Sequence, residues 1–136
     1  GEVLKNLLGY TCVNDVTARD IQKVGGNLLH LCHSKSFDTF CPAGPWVETE
    51  LDARALDIEL RINGEVRQKK INTSDMIFPV EEMVSYFSKV MTLLPGDLIL
   101  TGAPPGIGPM KVGDSVEVII SGIGALRHSV VAGPKP

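Results

Sequence analysis

The residues of this chain that could do chemistry gather in three short segments. In Asn14-Asp15-Val16-Thr17-Ala18-Arg19-Asp20-Ile21-Gln22 a carboxylate directly follows the apolar run Tyr10 to Val13, with Arg19 and Gln22 beyond it. The end of such a run is where a rigid scaffold presents ligand-binding groups. Asp15 is thus a candidate oxygen ligand for a hard cation, with Arg19 or Gln22 able to grip an anionic or carbonyl-bearing substrate. The same residues also suit a helix cap with an internal salt bridge, the commoner use of the pattern. The second segment, Ser34-Lys35-Ser36-Phe37-Asp38-Thr39-Phe40, sets a lysine among small polar and aromatic residues. Its ammonium could orient a carboxylate or stabilise a developing oxyanion, or be an ordinary solvated lysine. The third, Thr101-Gly102-Ala103-Pro104-Pro105-Gly106-Ile107-Gly108, offers a hydroxyl and backbone N–H groups. It lacks the Lys-Ser/Thr of a P-loop and does not match GxGxxG, so a plain turn is its default reading.

Other titratable clusters carry less. Glu48 and Glu50 would share one face of an extended segment, but the chain there turns polar through Asp52 and Arg54, and solvent exposure is the simpler expectation. His30 and His33 lie three apart near Cys32 while His128 is remote, so zinc is not favoured. Three cysteines without CxxC spacing suggest neither a disulfide framework nor a structural metal, and fit the cytoplasm, or the mitochondrion in a eukaryote. Thirteen basic against sixteen acidic residues, no basic block and few aromatics argue against nucleic acid as a partner. The apolar runs are too short to span a membrane, and GEVLKNLL at the start does not read as a signal peptide.

The elements that must position these groups are short. Leu56, Ile58, Leu60 and Ile62 alternate with Asp57, Glu59 and Arg61, the period of a strand with one buried face. Asn63-Gly64 then predicts a tight hairpin turn into Glu65 to Gln68. Val116, Val118 and Ile120 repeat the alternation, and a turn from Ser121 to Gly124 predicts a return strand over Ala125 to Val131. Val80, Met83, Val84, Phe87, Val90 and Met91 form a helical stripe, opened by Pro79 and by Glu81 and Glu82 at the positive end of the dipole. A shorter helix is expected over Thr17 to Lys23, capped by Asp15 or Thr17, and a strand over Asp97 to Thr101. The 136 residues suffice for one domain, β-rich with one packed helix.

Taken in order, NDVTARDIQ, SKSFDTFCPAGPW and PGDLILTGAPPGIGPMKVGD resemble the C-terminal catalytic domain of the fumarylacetoacetate hydrolase family, as do NGEVRQ and TSDMIF. TFCPAGPW and TGAPPGIGP are closest to its 2-hydroxyhepta-2,4-diene-1,7-dioate isomerase and acylpyruvase-like branch. The resemblance implies a β-rich α+β fold, a mixed β-sheet roll or barrel-like domain with one main helix, usually in a homodimer. It implies Mg²⁺, or Mn²⁺, and small β-dicarbonyl or 2-oxo acid substrates that are hydrolysed at a C–C bond, decarboxylated or isomerised through an enolate. At the matching positions Asp15 would be a metal ligand, Lys35 the catalytic lysine beside the substrate, and Gln22, Arg19 and Thr101 substrate contacts. The family's Glu-x-Glu metal pair and lid lie upstream of the NDVTARD-like segment, where this sequence has fourteen residues before Asp15 and neither feature. The expectation is therefore a piece of a longer catalytic domain, with exposed apolar surface and a tendency to associate, or a relative that binds a small acid or partner without turnover.

Overall fold

A computed structural model describes residues 2–24 and 27–133. Six strands and three helices form: β1 (Tyr10–Val13), α1 (Arg19–Lys23), α2 (Leu28–His33), β2 (Ala43–Glu48), β3 (Asp57–Ile62), β4 (Glu65–Asn72), α3 (Val80–Val90), β5 (Ser115–Ile120) and β6 (Gly124–Ser129). The β3–β4 hairpin turns at Asn63 and Gly64, whose φ values of 54° and 81° are the left-handed pair that a two-residue turn needs to match strand twist. The strands order as β4-β3-β5-β6 in one sheet, while β1 and β2 form a separate two-stranded ribbon. Where the sequence reading expects a mixed sheet, every pairing among the described residues is antiparallel. Short turns between β3 and β4 and between β5 and β6 permit nothing else for those two pairs, since a parallel pair needs a long crossover.

The core lies between ribbon and sheet. Cys12 of β1 meets Val118 of β5, Leu126 of β6 and Ile123 of the intervening turn, flanked by Tyr10, Leu51, Leu60 and Ile120. Period-two patterning delivers these side chains to one face, so that β1 is fixed against the sheet at its middle and its C-terminal end projects towards the candidate site.

Three local expectations are corrected. Segment 97–101 is not a strand: Leu98 and Leu100 are exposed and the segment joins neither sheet, so its β-prone residues have no ladder to enter. The short helix starts at Arg19 after Ala18, and neither Asp15 nor Thr17 caps it. The Thr17 hydroxyl instead donates to the Asp15 carbonyl. In α3 only Val84 is buried, and Val90 and Met91, the last members of the stripe, face solvent. No helix is long and apolar enough to cross a membrane among the described residues.

Candidate active site

Two backbone hydrogen bonds bring the first two chemical segments together. The Asn14 N–H donates to the Pro42 carbonyl at 3.1 Å and the Ala18 N–H donates to the Ser34 carbonyl at 2.8 Å, so the crossover from β1 to α1 is tied to the turn after α2 and the loop before β2. Ser34 is completely buried and its hydroxyl donates to the Leu31 carbonyl, which holds this turn on the end of α2. Lys35, the next residue, is thereby aimed at the crossover. Its ammonium donates to the Asp15 carboxylate and, at 3.1 Å, to the Thr17 hydroxyl.

Both members of this ion pair remain partly open, with side chains 32% and 41% exposed. A pair that open to solvent contributes little to stability, typically under about 1 kcal/mol. An acid and an ammonium converging from segments twenty positions apart, with a hydroxyl between them, form instead a half-open polar cluster that can receive an anionic oxygen at Lys35 and present one at Asp15. Asp15 does not cap α1, and Lys35 is ion-paired at the surface.

Arg19 and Gln22 pair with each other on the exposed surface of α1, the guanidinium donating to the Gln22 carbonyl oxygen at 2.6 Å. Thr101 lies exposed in the long coil after α3 and makes no hydrogen bond to Asp15, Thr17 or Lys35. The structure thus joins Asp15 to Lys35, and Arg19 to Gln22, but does not join Thr101 to either pair.

Three neighbours of the cluster are not identified by the sequence as site residues. Thr17 reads there only as a cap, and Ser34 only as part of a polar run. Asn14 donates through Nδ2 to His128 Nε2 at 2.9 Å, linking the residue before Asp15 to β6. A separation of 114 positions leaves no local signal for this contact. The clusters given little weight behave accordingly: Glu48 accepts from the Glu50 N–H, and His33 stacks on Phe37.

A cavity of about 520 Å³ opens elsewhere, lined by Tyr10, Leu51, Asp52, Arg54, Met76 and Val80 among others, and none of the five residues singled out above reaches it. The Arg54 guanidinium, donating to Asp52, holds that carboxyl down at about 2. Burial, then the nearby charges of Glu81 and Asp52, push the Tyr10 phenol up.

The family model described as Fumarylacetoacetate (FAA) hydrolase C-terminal matches residues 1–131. The chain belongs to the fumarylacetoacetate hydrolase family. A solved 5-carboxymethyl-2-hydroxymuconate delta-isomerase from Mycobacterium smegmatis matches at TM-score 0.91 and 44% identity, over 98% of this chain and 52% of that one. Maleylpyruvate hydrolase from Sphingobium sp. SYK-6, in complex with manganese(II) ion and pyruvate, matches at TM-score 0.82 and 38% identity, over 98% of this chain and 48% of that one. An uncharacterised protein of Methanocaldococcus jannaschii is 52% identical over 124 residues, 91% of this chain and 51% of its own length. The chain spans about half the length of the relatives it matches.

Whether these residues fit a divalent cation, as bound by the maleylpyruvate hydrolase, is a question of donors. Asp15 offers one carboxylate, already engaged by Lys35, and no group of three or more acidic, histidine or cysteine side chains converges among the described residues. A small hard cation needs near-octahedral oxygen coordination and gains most from anionic ligands. The described residues of this fumarylacetoacetate hydrolase family chain do not by themselves make a complete cation site.

Proposed function

We propose that this chain carries the substrate-facing half of a divalent-metal-dependent enzyme acting on small β-dicarbonyl or 2-oxo acids, by C–C hydrolysis, decarboxylation or enol–keto isomerisation. The observation that carries the reading is the half-open cluster of Asp15, Thr17 and Lys35. In each of these reactions negative charge grows on a carbonyl oxygen as an enolate forms, and a fixed ammonium beside it lowers the barrier. Lys35 provides that charge, and Asp15 and Thr17 hold its ammonium in place on two sides. Asp15 is also the carboxylate this chain would contribute to Mg²⁺ or Mn²⁺, with the remaining ligands coming from outside the described residues. Arg19 and Gln22 offer a donor and an amide to the substrate carboxylate from α1, and Thr101 a hydroxyl from the loop after α3. A homodimer in the cytoplasm, or the mitochondrion of a eukaryote, completes the proposal.

A second reading has one observation in its favour: the single carboxylate ligand among the described residues suits a chain that binds a small acid without turning it over. Turnover of acetylpyruvate and oxaloacetate with Mg²⁺ or Mn²⁺, in wild type and Lys35→Met, separates the two. The enzyme reading predicts turnover that falls by about 100-fold or more in the variant. Binding of oxalate without turnover of either acid supports the second reading.

A further inference from the structure

The loop that carries Thr101 is docked on β4 by a residue whose burial runs against its chemistry. On β4 a bulge between Val66 and Gln68 breaks the alternation, so Val66, paired with Arg61, is 48% exposed while Gln68, paired with Leu60 on the opposite face, is only 7% exposed. Burying a primary amide is unfavourable unless it is hydrogen-bonded, so a strand that exposes a valine and buries a glutamine needs a partner for the amide. That partner is the Pro104 carbonyl, which accepts from Gln68 Nε2 at 2.9 Å across 36 positions. Pro104 stands three residues after Thr101, in a segment stiffened by Pro104-Pro105.

A second contact fixes the same loop. Gly106 has φ of +99°, and a β-carbon there would lie 2.8 Å from the Arg67 carbonyl of β4. The loop backbone therefore presses on the free edge of the four-stranded sheet, at a point only glycine can occupy. Gly96, in the turn before the loop, has nearly the same φ, +97°, with nothing within 4 Å of the corresponding position.

We infer that Gln68 is a positioning residue: with Gly106 it clamps the 101–108 loop to the edge of β4 and so sets where the Thr101 hydroxyl meets the substrate. This rests on the reading of Thr101 as a substrate contact. The clamp itself is tested by limited proteolysis of the full chain with proteinase K, comparing wild type with Gln68→Leu, Gly106→Ala and Gly96→Ala. The last variant controls for backbone strain without the steric contact. Cleavage within residues 101–108 should accelerate by about tenfold or more in Gln68→Leu and Gly106→Ala, with cleavage in β3 and β5 unchanged, and should stay at the wild-type rate in Gly96→Ala. An unaltered loop in Gln68→Leu and Gly106→Ala overturns the clamp, as does equal acceleration in all three variants.

The positioning role is tested by steady-state kinetics on acetylpyruvate with Mn²⁺. Gln68→Leu should raise KM by about tenfold with kcat within twofold, in parallel with Thr101→Ala, because a loosened loop weakens a contact without touching the reacting atoms. A fall in kcat at unchanged KM would overturn the positioning role in favour of a structural one. Unchanged KM in Thr101→Ala, or no wild-type turnover, overturns the substrate-contact reading and the positioning role together, while proteolysis still decides the clamp.

Discussion

Lys35 is the residue whose surroundings differ most from those its sequence neighbourhood suggests. Among serines and aromatics it reads as a surface lysine, yet the Ala18–Ser34 hydrogen bond turns it onto Asp15 and Thr17. Because the pair is half open, Lys35→Met should shift thermal stability by less than about 1 kcal/mol while abolishing turnover. A large loss of stability in a melting experiment would place the lysine in the scaffold instead. His128 belongs to the scaffold on this account. Replacing it with Leu leaves the Asn14 amide without its partner, and chemical denaturation should show a loss of about 1–2 kcal/mol. Asp15 and Lys35 are each visible in the sequence as candidates. Their meeting is not, because it depends on hydrogen bonds between backbone groups that every residue possesses.

Among the elements, the two hairpins of the four-stranded sheet are legible because strict alternation and Asn63-Gly64 or Gly122 leave no competing pattern. β2 is not legible: Ala43–Glu48 contains Gly44-Pro45, does not alternate in burial, and is a strand because β1 offers it an edge. Segment 97–101 is the converse, β-prone residues without an edge. The sheet's turns also carry its acid sensitivity. Lys70 and Asn72 hold the Asp57 carboxyl below its usual range, and the Lys111 N–H and Asn63 do the same for Asp114. A depressed carboxylate contributes stability above its unfolded pKa of about 4, and loses it as pH falls through the folded value. Melting temperature should therefore drop as pH falls below about 4, less steeply in Asp114→Asn, whereas a flat profile would show that these carboxylates do not hold the sheet. In the core, Ile123→Ala should cost about 2–5 kcal/mol, because Ile123 is almost fully buried between ribbon and sheet.

At the scale of the whole molecule, the core is small and much apolar surface is open: Leu29, Ile77, Phe78, Tyr86, Val90 and Leu98 are all more than half exposed. Surfaces of this kind associate, and sedimentation velocity should show concentration-dependent assembly. A strictly monomeric species at tens of micromolar would contradict that expectation. The family membership and the β-rich α+β fold are settled by 131 matched residues and by the likeness to solved relatives. The function rests on one cluster, so the most direct test is calorimetric titration of oxalate, an enolate-like chelator, with Mn²⁺ present, on wild type, Asp15→Asn and Lys35→Met. The account predicts binding to wild type that weakens by at least about tenfold in each variant. Equal binding by all three proteins would contradict it.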